Sequence, residues 1–83
     1  MQSTLAPMAG LDWDDVRIFL VLAEVLSYRE AGRILERTPG TVKLRFEAFE
    51  QALGRALFVR THNGLLLTPE GAALRQQAEI MYN

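Results

Sequence analysis

The stretch RTPGTVKLRFEAFEQALG, residues 37–54, decides how the chain folds. Thr38 is placed to cap a helix, because its hydroxyl can accept an orphan backbone N–H. Pro39 follows in the first turn, where a missing N–H does no harm. Val42, Phe46, Phe49 and Leu53 then recur at 4-3-4 spacing, one face of a helix. Gly54 supplies a left-handed stop. The unusual part is the first turn, in which Pro39, Gly40 and Thr41 stand where a DNA-reading helix would hold base-contacting side chains.

Upstream, SYREAGRILE opens with a capping box, Ser27 as cap and Glu30 three residues on. Tyr28, Ala31, Ile34 and Leu35 are expected to form its inner stripe, with Arg29 and Arg33 outside. Gly32 lowers helix propensity by ~1 kcal/mol relative to Ala and hints at a close helix approach or at simple tolerance. A link of only two or three residues joins the two amphipathic helices, a helix-turn-helix pattern. Before them, LDWDDVRIFLVLAEVL predicts a helix capped by Asp12. Asp14 and Asp15 complement the helix dipole, and Leu11 and Val16 form a hydrophobic staple. Val16, Phe19, Leu20 and Ala23 share a face, yet Ile18, Val21, Leu22 and Val25 are apolar too. Such a helix is covered on more than one side, and in so short a chain the second cover could be another chain.

Downstream the period changes. Residues 57–60 and 65–67 are short β-compatible runs around THNG, and Asn63-Gly64 is a tight-turn signal, so a hairpin or wing is expected. Thr68-Pro69-Glu70 starts a last helix, on which Leu74, Ala78 and Met81 share a face.

Eighty-three residues allow one small domain. The chain has no cysteine and one histidine, which excludes disulfides and leaves no good structural zinc set. No catalytic constellation and no cofactor site are legible. No apolar run approaches the ~18 residues of a membrane span. The net charge of −1 is unevenly spread: residues 27–60 hold seven basic side chains against four acidic ones, a local +3 where a polyanion can bind, whereas residues 1–26 net −3. MQSTLAPMAG, residues 1–10, reads as a disordered arm.

Four blocks together resemble the LysR-type transcriptional regulators: IFLVLAE, SYREAGRIL, FEQALGRALFVRT and LTPEG. The resemblance implies a mainly α fold, a winged helix-turn-helix of three helices plus a two-stranded wing over residues 11–68. A linker helix follows over 69–83, truncated before the effector domain such proteins normally carry. It implies a bacterial cytoplasmic regulator on the nucleoid, binding an inverted-repeat promoter site in double-stranded DNA as a homodimer. A small-molecule inducer would belong to the absent effector domain. The expected dimerisation residues are Val21, Val25, Leu74, Ala78 and Met81. The expected DNA contacts are Ser27, Arg29, Arg37, Thr38, Pro39, Gly40, Thr41, Lys43, Arg45, Arg60 and His62. The family's stretch usually reads Ser-Gln-Pro-Ala-Val-Ser-Arg; here Pro39 replaces the Gln that often reads a base, Lys43 the Ser, and Leu44 the Arg. An alternative is an interaction module that chiefly dimerises or docks on another regulator, suggested by these losses and by the exposed-looking Leu44, Leu65 and Leu66.

Overall fold

The computed structural model describes residues 12–82, with side-chain surroundings for residues 12–80. Four helices and one hairpin follow in the order α1 (Trp13–Val25), α2 (Tyr28–Leu35), α3 (Pro39–Leu53), β1 (Phe58–Thr61), β2 (Gly64–Leu67) and α4 (Pro69–Tyr82). The local signals account for the boundaries. The side chains of Asp12, Ser27 and Thr38 accept from the backbone N–H groups of Asp14, Glu30 and Thr41, starting the first three helices. Gly54 ends α3 at φ 70°. Leu26 and Glu36 end α1 and α2 in the same left-handed region without being glycine. The expected Leu11 staple and the arm at residues 1–10 lie outside the described residues.

α1, α2 and α3 meet around four aromatic rings. Phe46 stacks on Phe19 with centroids 6.2 Å apart and meets Phe58 edge-on at 5.3 Å, while Phe49 closes against both Phe19 and Phe46. Val16, Ile18, Leu22, Ala31, Leu35, Val42 and Leu57 complete the core. No charged or polar residue is buried in it. α4 packs on α1 and supplies Leu74 and Ala78 to the same core. The second cover of α1 is thus the chain's own last helix.

Two expectations about faces are corrected. Ile34 is 45% exposed rather than part of the inner stripe of α2. The inward place is taken by Gly32, where the backbone of the α2–α3 turn passes so close that a Cβ would lie 2.5 Å from the Arg37 carbonyl oxygen. Leu65 is buried, not exposed, because side chains alternate along a strand: Leu65 turns inward and Leu66 outward. Its N–H donates to the Leu26 carbonyl, which binds the wing to the end of α1.

The wing is an antiparallel pair with Phe58 opposite Leu67 and Thr61 opposite Gly64. His62 and Asn63 form the turn, and Gly64 at φ 121° provides the positive φ it requires. At the wing's base, Thr68 Oγ1 donates to the Ala56 carbonyl (2.7 Å) and accepts from Gly71 N–H (2.9 Å). This ties the start of α4 to the connection between α3 and β1.

Candidate nucleic-acid interface

The N-terminal half of α3 stands free of the core on its outer side. Thr38, Pro39, Gly40, Thr41 and Leu44 are all exposed, while Val42 and Phe46 anchor the opposite face. Thr38 Oγ1 accepts from Thr41 N–H at 3.2 Å and donates to Thr41 Oγ1 at 2.7 Å, so the two hydroxyls form one fixed cap. A Cβ on Gly40 would meet nothing within 4 Å, leaving the backbone there open to close approach.

Three basic side chains surround this helix start without forming an ion pair among the described residues: Lys43, half-buried on α3, Arg29 on α2 and Arg60 on β1, both exposed. Lys43 and Arg60 share a crevice with Tyr28, Glu47, Glu50 and Leu65, between α3 and the wing. Burial pushes the Tyr28 phenol up, with Glu50 and Glu47 adding to the effect, so it stays neutral and able to donate. Ser27 is half-buried and its Oγ is occupied by Glu30 N–H, whereas His62 is exposed at the wing tip.

Arg37 and Arg45 are placed otherwise than expected. Arg37 forms a two-pronged pair with Asp14, at 2.8 and 3.0 Å. Arg45 reaches Asp15 at 2.8 Å and Asp12 at 2.9 Å, with Asp14 at 3.6 Å. The hydrogen bond from Arg37 holds the Asp14 carboxyl below its ordinary range, with burial opposing. Conversely, Asp14 raises Arg37 and Asp15 raises Arg45. These two arginines clamp the start of α1 onto the helix-turn-helix. The acidic trio therefore does more than complement a helix dipole: it neutralises two cations of the central basic segment. No group of side chains among the described residues could hold a metal ion.

The dimerisation set also divides. Val21 and Val25 are half-buried and line a groove with Leu20, Glu24, Ile34, Arg75 and Glu79. Leu74 and Ala78 are consumed by the chain's own core, which corrects their expected place at an interface. The Met81 side chain lies outside the described residues.

Sequence reasoning missed two residues here. Glu50 Oε2 accepts from Leu57 N–H at 2.7 Å and Phe58 N–H at 3.3 Å, setting where the wing leaves α3. Glu47 lies one turn beyond Lys43, and that i,i+4 spacing was the available signal.

Helices joined by a three-residue link, with a hairpin beside the second of them, define a winged helix-turn-helix domain. The comparisons give the family: the model of the bacterial regulatory helix-turn-helix proteins, lysR family, matches residues 13–72, and the chain belongs to that family. It is 41% identical over 71 residues to the transcriptional activator AllS of Klebsiella pneumoniae, covering 86% of this chain and 26% of that protein. It is 33% identical over 75 residues to the activator IlvY of Salmonella typhimurium, covering 87% and 25%. The chain thus spans about a quarter of the length of these curated relatives. Among solved structures, Vibrio fischeri DarR in complex with DNA superposes with a TM-score of 0.82 at 27% identity, over 89% of this chain and 25% of that one. The CbnR_DBD–DNA complex gives 0.81 at 25% identity, over 87% and 83%. These relatives are regulators, not enzymes. No helix among the described residues is long and apolar enough to cross a membrane.

Proposed function

We propose that the chain binds double-stranded DNA in a sequence-specific manner, as the DNA-binding part of a dimeric LysR-type regulator acting in the bacterial cytoplasm. α3 enters the major groove by its N-terminal turns, and two copies address an inverted repeat. The observation that carries this reading is the exposed start of α3 flanked by the unpaired Lys43, Arg29 and Arg60. Helix N-termini offer backbone N–H groups to phosphate, and unpaired cations release counterions when they reach it.

Lys43, Arg29 and Arg60 are assigned to phosphate, with Lys43 also able to reach a guanine edge. Thr38, Pro39, Gly40 and Thr41 approach the bases, Ser27 lies at the phosphate-facing start of α2, and His62 lies at the wing tip. Arg37 and Arg45 act as clamps. Val21 and Val25 are the dimerisation residues left accessible on α1.

The alternative of a module that chiefly dimerises or docks, with weak DNA binding, keeps two of its three exposed leucines, Leu44 and Leu66, at 73% and 54% exposure. The test is titration of DNA at several salt concentrations. Lys43→Ala should weaken binding to every sequence and lower the salt slope by about 0.9. An unchanged slope would remove Lys43 from the interface.

A further inference from the structure

We infer that Leu44 is a specificity-determining residue that reads the 5-methyl group of thymine in the major groove; this rests on the DNA-binding reading above. Among the described residues Leu44 is the most exposed of the large apolar side chains, at 73%. It sits one turn beyond Gly40 and Thr41 and one turn before Ala48, so these four residues share a face. Leu44, Thr41, Ala48 and Ala52 line one shallow groove beside α1, closed on its α1 side by the paired Asp15 and Arg45.

What that face lacks is as informative as what it holds. Pro39 has no N–H and Gly40 no side chain. Thr41 Oγ1 accepts from Thr38, which leaves its own O–H as the one polar donor side chain on this face. Arg45, the cation next to Leu44, borders the same groove but is neutralised by Asp15 and Asp12. Lys43 lies on the other flank of α3, toward Arg60 and the wing. With Lys43 on the other flank and Arg45 neutralised, the crest of α3 presents the Leu44 side chain beside a single hydroxyl and no unpaired cation. The apolar feature that the major groove presents is the thymine methyl, which distinguishes A·T from T·A as well as from G·C.

Burying an exposed leucine against a methyl also gives that side chain a role it lacks in the free chain. Ionic flanks then supply affinity and register, and Leu44 supplies discrimination. A helix with this crest prefers sites rich in thymine at the positions it covers, rather than the guanines that a fork-like arginine would select.

The experiment uses a duplex enriched by the chain from a random library. Each thymine is replaced in turn by deoxyuridine, which removes the methyl and nothing else. At the thymines facing α3, the wild-type chain should lose about fourfold in affinity per methyl, the worth of one buried methyl-sized group. Leu44→Ala should be indifferent to the same replacement, with its salt slope unchanged, because no phosphate contact is lost. Leu44→Arg should shift the enriched base there toward guanine. Leu44 is so exposed that neither variant touches the core. Specific binding that ignores every uracil, or a Leu44→Ala variant as sensitive as wild type, overturns the inference and leaves the DNA-binding reading standing. A library from which nothing is enriched overturns both.

Discussion

Gly32→Ala tests whether the α2–α3 turn is as tightly built as its geometry says. By helix propensity alone the substitution should stabilise α2 by ~1 kcal/mol. The new Cβ, however, would lie 2.5 Å from the Arg37 carbonyl oxygen and 3.3 Å from Pro39 N. That is about 1 Å short of ordinary van der Waals contact. The obstacle is backbone, and it is held in place: Arg37 N–H donates to the Gly32 carbonyl at 2.8 Å, while the Arg37 side chain is pinned by Asp14. Overpacking costs about 1–3 kcal/mol, and a clash with fixed backbone rather than a flexible side chain belongs in the upper half of that range, about 2–3 kcal/mol. After the propensity gain, a net loss of about 1–2 kcal/mol is expected, read as a lower urea midpoint at unchanged m-value. In a domain of this size the melting temperature should fall by roughly 4–15 °C. Gly40→Ala is the matched control. Its Cβ meets nothing within 4 Å, so there the same exchange should be neutral or stabilising. If Gly32→Ala is as stable as wild type, or more so, the turn yields freely and the reasoning fails.

Three further outcomes follow from the same geometry. Glu50→Ala strips the acceptor from the N–H groups of Leu57 and Phe58 and should destabilise by about 2 kcal/mol. Hydrogen exchange at those two amides should accelerate, and unchanged protection would show that Glu50 does not hold the wing. Asp14 has its carboxyl depressed by Arg37, so its contribution is fully present above the ordinary carboxylate value of ~4 and is lost as pH falls below it. Asp14→Asn should therefore flatten the acid limb below about pH 4 in urea midpoints taken from pH 7 downward; limbs that run parallel would contradict the pairing. The Lys43→Ala salt slope described above completes the set and separates a phosphate contact from a structural role.

What could be read from the sequence was local. The caps at Asp12, Ser27 and Thr38 and the stop at Gly54 are each decided within four residues and stand where their chemistry placed them, while the Asn63-Gly64 signal found the hairpin with its turn one residue earlier, at His62-Asn63. The stripe Val42, Phe46 and Phe49 was legible because only one face of α3 is covered. Elsewhere the outcome depended on how elements cross. Ile34 is left outside its expected stripe because the returning chain packs over Gly32 instead. The fate of Arg37 and Arg45 turns on acids 23 to 33 residues away, a separation no spacing rule spans. Nor could the sequence alone say whether a second apolar face on α1 meets a partner or α4, and Ala78, fully buried, answers for α4.

The central claim is that α3 reads duplex DNA with its N-terminal turns, two copies to a site. Selection of bound duplexes from a random library by the purified chain tests it most directly. The expected product is a thymine-rich half-site repeated with dyad symmetry, the two centres one helical turn of ~10 bp or a multiple of it apart. A bound pool that stays random in sequence, held only by salt-sensitive affinity, would contradict it.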